Sequence, residues 1–347
     1  MGRLPEADLE WVLERIQRNA RIIRGQHLFI TGGTGFIGSW LIECLLHANK
    51  KFALDLHISI LSRDLLNFKE RYPHLVNDPA IKLIKGDVRN LVSNGKLYDI
   101  VIHAATDASA KLNRENPLLM ADTIVDGTRK ALEFAKQAGA KRVLMLSSGA
   151  VYGRFMDGIT HVKEDSSSGP DPLNSYYTYA ESKRMAELLC AIYSKQFGLN
   201  ISIARLFAFV GPRMPLDAHF AIGNFIRDGL AGESIQISGD GKAMRSYLYA
   251  AELVVWLLAI LVEGEKGRAY NVGSDQGISI RELAKKVATS FIYRPDINVT
   301  ARADGSNPIN HYVPDISRAH EELGLTVNIS LSDAIYRTVA SLQIDAH

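Results

Sequence analysis

Residues 26–38, QHLFITGGTGFIG, hold the first groups in the chain that could do chemistry. A short apolar run at 27–30 is cut by glycines, and apolar residues then resume at helical spacing through Trp40, Leu41, Ile42 and Leu45. That is the pattern of a buried strand, a tight turn and a helix. The glycines read either as Gly33-x-Gly35-x-x-Gly38 or as Gly32-x-x-Gly35-x-x-Gly38. In both readings the missing Cβ atoms let the backbone around Phe36 and Ile37 approach a dinucleotide pyrophosphate. Free N–H groups and the positive end of the helix dipole would hold its charge. Many glycine-rich turns are only turns, but here both flanks carry the required pattern.

A second group lies far along the chain. Tyr179 and Lys183 are four residues apart within the densest helical pattern of the sequence, 176–197. Side chains at that spacing share one helix face, with Cβ atoms about 5–6 Å apart. An ammonium beside a phenol favours the phenolate, and an oxidised nicotinamide does the same. A phenol with an ordinary pKa of about 10 is thereby drawn toward neutrality and becomes a general base. Taken alone, Tyr-x-x-x-Lys is common on helices. Ser147-Ser148-Gly149 closes an apolar strand pattern at 142–146 and would point a hydroxyl into the same crevice.

Alternating elements must position these groups. Strand patterns at 56–61, 81–84 and 98–103, separated by helical or loop segments, predict right-handed βαβ units and a parallel sheet. Ligands gather at the strand C-termini of such a sheet, so Asp87 and residues 104–109 are expected to face a cofactor. His103 reads as a satisfied histidine, with no second ligand at metal spacing. After the second strand comes Ser62-Arg63-Asp64. Ser62 takes the place of the acidic residue that binds the ribose of NAD, and Arg63 suits the 2′-phosphate of NADP; Asp64 serves NAD if the register slips. NADP is favoured and NAD remains possible. An amphipathic helix over 5–23 precedes the first strand, and a polar Gly, Pro and Ser-rich loop covers 154–174.

Composition sets the frame. The 347 residues are 47% hydrophobic and 22% charged, with a net charge of +2, so neither nucleic acid nor a membrane is expected as a partner. Cys44 and Cys190 lack metal or redox spacing and suit the core of a protein in a reducing compartment. The most apolar segment, 253–262, is too short to span a bilayer, and the first residues lack an apolar signal centre. A cytoplasmic location is expected.

With Gly32, Gly35 and Gly38, Ser148, and Tyr179-x-x-x-Lys183 in that order, the chain resembles the extended short-chain dehydrogenase/reductases of the nucleotide-sugar epimerase and dehydratase type. Supporting stretches are Gly86-Asp87-Val88, residues 148–153 (SGAVYG), 211–214 (GPRM), Gly239-Asp240-Gly241 with Arg245-Ser246-Tyr247, 270–273 (YNVG) and 314–319 (PDISRA). The resemblance implies an α/β fold: a Rossmann-type doubly wound parallel sheet with a smaller C-terminal α/β lobe. Residues 1–25 would be an N-terminal helix and 26–205, with 240–268 returning, the cofactor domain. Residues 206–239 and 269–347 would form the lobe for a nucleotide diphosphate sugar.

Carried over by resemblance, Tyr179 takes a hydroxyl proton, Lys183 holds the cofactor ribose, and Ser148 bonds the oxygen as it becomes a carbonyl. Gly32, Gly35, Phe36, Ile37, Gly38, Arg63, Asp87, Val88, Ala104, Ala105 and Thr106 would line the cofactor. Asp107, Ser148, Gly149, Asn224 and Arg245 would meet the substrate, Arg245 at its diphosphate; His219 serves equally as a contact or as structure. The 4,6-dehydratases place an Asp-Glu pair where Gly149 and Ala150 stand, and the nucleotide-sugar decarboxylases a Glu at Ala150, which favours 4-epimerases and 4-ketosugar reductases. Ala208 and Ile124 replace two asparagines usual in the family. The helices around 113–137 and 174–197 resemble those of a four-helix dimer interface, implying a homodimer. A cofactor-binding regulatory protein is the non-enzyme alternative, against which the intact Ser148, Tyr179 and Lys183 stand.

Overall fold

The computed structural model describes residues 2–93, 95–106, 109–156, 158–217, 220–300 and 310–344. At its centre lie β1 (His27–Thr31), β2 (His57–Ser62), β3 (Ile81–Lys85), β4 (Ile100–His103), β5 (Arg142–Ser148) and β6 (Ile201–Leu206). With a further strand, Ala269–Val272, they form one parallel sheet in the order Ala269–Val272, β6, β5, β4, β1, β2, β3. The order reverses between β1 and β4, and the crevice at that switch point is where such sheets bind ligands. Residues 269–272, placed in the second lobe by the sequence reading, are thus the edge strand of the main sheet. Four consecutive backbone pairings with β6 hold them there.

Helices cover both faces. One side carries α1 (Glu6–Ile22), α2 (Phe36–Phe52), the short α3 (Leu65–Arg71) and α4 (Pro73–Val76); the other carries α5 (Ala110–Glu115), α6 (Pro117–Gln137) and α7 (Thr178–Phe197). Because both faces are buried, β4 and β5 read as continuous apolar runs rather than alternating ones. The second lobe is built from α8 (Ala221–Leu230), α10 (Ile280–Ala288), α11 (Ser317–Leu323), α12 (Leu331–Ile344) and several two- and three-residue strands. Between them α9 (Ala250–Glu263) returns to the first group, its residues 253–254 and 256–261 buried. Burial of each Leu, Ile or Val side chain among them contributes roughly 1.5–3 kcal/mol. Among the described residues no helix is long and apolar enough to cross a membrane.

The amphipathic pattern near the N-terminus resolves as packing within the chain. Leu9, Val12, Leu13 and Ile16 of α1 are buried, and the helix lies on α9 and α2. Its one buried carboxylate, Asp8, accepts from Tyr249 Oη at 2.6 Å and from Arg337 Nη1 at 2.8 Å. Three distant segments therefore meet at one charge. The 154–174 loop is likewise pinned: Val162 N donates to Val313 O at 3.1 Å and Asp315 N to Val162 O at 2.9 Å.

Removing the Tyr249 hydroxyl leaves a buried carboxylate with one partner fewer. Tyr249→Phe is expected to lower the unfolding free energy by about 1–3 kcal/mol in a urea titration, since hydrogen bonds to charged groups are worth that much. An unchanged midpoint would mean that the cluster does not hold α1 down.

Candidate active site

The glycine turn is a steric solution before it is a binding site. Gly32 has φ +71°, and a Cβ there would come within 2.5–2.6 Å of the Ala104 carbonyl and Ala105 nitrogen at the end of β4. A Cβ on Gly38 would strike the Gly33 backbone at 2.5 Å. Gly35 is different: a Cβ there meets only Gly32 O at 3.5 Å, so that side is open. Gly35 also caps α2, and no side chain accepts from the first turn, which contains Phe36, Ile37 and Gly38 and no acidic residue. An open, uncapped helix N-terminus fits a pyrophosphate.

Around the adenosine end, Ser62 Oγ lies 3.2 Å from Thr34 Oγ1, tying β2 to the turn. Arg63 is exposed beside it, whereas Asp64 is engaged as the cap of α3, accepting from Asn67 N at 3.1 Å. Asp87 holds Arg89 through Nε at 3.1 Å and Nη2 at 2.7 Å, and the Arg89 hydrogen bond keeps its carboxyl below the usual range. The Val88 side chain packs in the core against Gly127.

Ser148, Tyr179 and Lys183 come together at the C-terminal edge of the sheet. The α7 helix begins at Thr178, later than the apolar pattern suggests, because residues 175–177 form a 3-10 turn. Asn113 of α5 fixes that end: its Oδ1 accepts from Tyr179 N at 2.9 Å and its Nδ2 donates to Tyr176 O at 2.8 Å. The Tyr179 phenol is half-buried beside Ser148; burial pushes its pKa up and the nearby Ser148 hydroxyl opposes the rise. The Lys183 amine is buried and donates to Thr106 Oγ1 and to Leu146 O, both at 2.8 Å. Burial draws it down to about 8, with Glu187 one turn onward pulling the other way. Glu187 is itself held by Ser147 Oγ at 2.5 Å and Arg205 Nη2 at 2.7 Å. Lys183 is thus anchored to β5 and to the residue after Ala105, rather than left to seek the phenol.

The second lobe closes the site with aromatic rings. Tyr312, on the short strand His311–Tyr312, brings its hydroxyl to Gly149, next to Ser148, and its ring lies 4.8 Å from that of Phe207. A Cβ on Gly149 would fall 2.8 Å from both the Tyr312 hydroxyl and the Phe207 ring, so glycine is what fits there. The Arg245 guanidinium stands 5.9 Å from the centre of the Tyr312 ring, and its Nη1 donates to Asn310 O at 3.0 Å. Arg245 therefore reaches the catalytic edge, while Asn224, on α8 near Arg227, is not brought onto Ser148 or Tyr179 by any described contact. Asp107 and His219 lie outside the described residues. Ile124 is buried in the core, so an apolar side chain fills the place of the usual asparagine.

Sequence reasoning did not single out Tyr312, Asn113 or Glu187. Tyr312 stands two residues before the Pro314-Asp315 motif, whose presence was noted without it. The others carry no motif of their own, and only the fold brings them in.

Comparison with known proteins agrees with this architecture. The family model described as "NAD dependent epimerase/dehydratase family" matches residues 28–273. UDP-glucuronic acid decarboxylase 6 of Arabidopsis thaliana is 31% identical over 322 residues, 92% of this chain and 89% of its own. Among solved structures, UDP-N-acetylglucosamine 4-epimerase from Methanobrevibacter ruminantium M1 superposes with a TM-score of 0.79 at 24% identity, covering 93% of this chain and 99% of its own. A dTDP-glucose 4,6-dehydratase from Streptomyces venezuelae, solved with NAD bound, gives 0.77 at 24%, covering 92% and 97%. The likeness to both solved structures is one of fold. The chain belongs to the NAD-dependent epimerase/dehydratase family and is an enzyme of the extended short-chain dehydrogenase/reductase type.

Proposed function

We propose that the protein converts a hydroxyl of a nucleotide diphosphate sugar to a ketone and back, with 4-epimerisation as the net result. The observation that carries this reading is the half-buried Tyr179 phenol beside Ser148, one helical turn from a buried Lys183 amine held by Thr106, with no carboxylate on residues 149 and 150. When bound, the nicotinamide cofactor supplies the hydride acceptor and returns the hydride. Tyr179 takes the hydroxyl proton as a general base, a contribution typically of 10²–10⁴-fold. Ser148 donates to the oxygen as it becomes a carbonyl. Lys183, fixed by Thr106 and Leu146 O, turns its remaining proton toward the cofactor ribose. Arg245 offers a guanidinium fork to the diphosphate.

Elimination of water needs an acid for the leaving hydroxyl, and the space beside Gly149 is filled by Phe207 and Tyr312. A second reading, decarboxylation of a sugar uronic acid, is favoured by the 31% identity to UDP-glucuronic acid decarboxylases. Once C4 is a ketone, the C6 carboxylate is that of a β-keto acid. Its loss as carbon dioxide needs the ketone as electron sink, held by Ser148 and Tyr179, and a proton returned to C5. Ala150, where the decarboxylases carry a Glu, counts against this reading. A reductase using free NADPH would employ the same three residues.

For the cofactor itself we propose NADP, with NAD as the alternative. Arg63 is exposed beside Ser62, and Asp64 is committed to capping α3. The proposed dimer is supported by an exposed apolar face, Met185, Leu188 and Ile192 on α7 with Leu118 on α6. Light scattering at micromolar concentration should then give twice the chain mass; the monomer mass would rule out the pairing.

Incubation of a panel of nucleotide sugars, uronic acids included, with the purified protein should yield a chromatographically shifted product of unchanged mass. Tyr179→Phe should lower that turnover by about 10²–10⁴-fold. A product lighter by one carbon dioxide would establish the second reading, and one heavier by two hydrogens only when NADPH is added would establish the reductase. In a binding titration NADP should exceed NAD in affinity, and Arg63→Ala should erase about two- to fivefold of that preference, the worth of one exposed charge contact of up to about 1 kcal/mol. Equal affinities in the parent protein would remove the case for NADP.

A further inference from the structure

The first N–H groups of an α-helix have no partner inside it and must find one elsewhere. At the start of α7 the cap residue Tyr177 offers none, because its side chain accepts no bond from the first turn. Glu181, the acidic residue of that turn, lies toward Arg184 instead, 3.6 Å from its Nε. The amide of Tyr179 is taken up by another helix: Asn113 Oδ1, on α5, accepts from it at 2.9 Å. The other end of the same side chain, Nδ2, donates at 2.8 Å to Tyr176 O, on the turn that leads into α7. We propose that Asn113 is a positioning residue, a helix cap supplied in trans that fixes the backbone of Tyr179 and so aims its phenol. The inference rests on the base role proposed for Tyr179, and Asn113 acts through that residue rather than on substrate.

The clamp works in one orientation. A backbone N–H only donates and a carbonyl only accepts, so the two partners set which end of the Asn113 amide faces which. Asn113 is in turn held by its own helix, where its N–H donates to Ser109 O at 3.0 Å and Ser109 Oγ accepts from Leu112 N at 3.2 Å. Leu112 and Tyr179 both pack on the apolar cluster formed by α6, α7 and the sheet. One helical turn after Tyr179, Lys183 Nζ donates to Thr106 Oγ1 at 2.8 Å. Residues that follow β4 therefore hold α7 at two successive turns. Thr106 fixes the ammonium, and Asn113 fixes the backbone from which the phenol extends. A shift of about 1 Å at a reacting group can cost on the order of 10²-fold in rate, so a cap remote from the chemistry has leverage on it.

The test labels the tyrosines with carbon-13 at Cζ and identifies the Tyr179 resonance as the one missing from the Tyr179→Phe variant. Asn113→Ala should move or split that resonance, because the phenol is no longer held in one place. Asn113→Asp, whose carboxylate still accepts from the Tyr179 amide and suits a helix N-terminus, should keep it at the parent position. Asn116→Ala is the control for capping as such. It removes the cap of α6, where Asn116 Oδ1 accepts from Leu119 N at 3.1 Å, and should leave the resonance in place. A Tyr179 resonance unmoved by Asn113→Ala overturns the inference. So does an equal change in Asn116→Ala, or an Asn113→Asp spectrum that matches the alanine variant, since the effect would then come from general loosening or from the Tyr176 carbonyl. The spectra need no substrate, so failure of every nucleotide sugar to turn over would count against the proposed function while leaving this result standing. Where turnover is found, Asn113→Ala should lower kcat by about 10- to 10²-fold with KM unchanged, the mark of an interaction felt only in the transition state. An unchanged kcat would overturn the inference as well.

Discussion

The constraint on which the rest depends is the approach of the glycine turn to the end of β4. Gly32 packs so closely against the Ala104 and Ala105 backbone that a single carbon more would overlap it. That contact joins β1 to β4 at the point where the strand order reverses, and it sends the chain into α2 with its N-terminus uncapped and open. Phosphate affinity and sheet closure are therefore one geometric solution. The same switch point places Thr106 one residue beyond the contact, where it receives the proton of Lys183.

From there the site is a problem of holding buried polar groups still. An ammonium taken out of water needs acceptors, and Lys183 finds them in a β5 carbonyl and a threonine after β4. Glu187 lies one helical turn further and is neutralised by Arg205, which also donates to Tyr152 Oη at 2.9 Å and to Glu164 O at 2.9 Å. Asn271 in turn accepts from Tyr152 Oη at 2.6 Å through its side chain, and its backbone N–H donates to Glu164 Oε1 at 2.8 Å. The network runs from α7 through β6 to Ala269–Val272, so the far edge of the main sheet is tied to the helix that carries Tyr179 and Lys183. Breaking one member leaves an unpaired buried charge, which costs far more than the pair contributes. Rigidity at Tyr179 and Lys183 follows from that asymmetry.

What the sequence disclosed was what local rules govern. Glycines with a required φ or contact, strand runs buried on two faces, and a Tyr and Lys four apart on a helix all obey short-range geometry, and all are found where the pattern placed them. The second lobe was less legible because its strands are two or three residues long and leave no periodicity. The 269–272 segment was assigned to the wrong side of the molecule for a related reason: a four-residue run carries no sign of which sheet it joins. Tyr312 escaped notice because its meaning is entirely tertiary. Gly149 and Ala150 were read as missing acids, whereas the fold shows that the space beside Gly149 is taken by a phenol from 163 residues away, 312 less 149.

Tyr179, Ser148 and Lys183 are proposed to bring about reversible oxidation at a ring carbon of a nucleotide diphosphate sugar. The most direct measurement is rapid-mixing absorbance of the nicotinamide with a substrate carrying deuterium at C4. The account predicts that reduced nicotinamide appears transiently and that deuterium slows its appearance, with the label carried into the product in the epimerase case. Conversion of the substrate with no reduced nicotinamide and no isotope effect would contradict it.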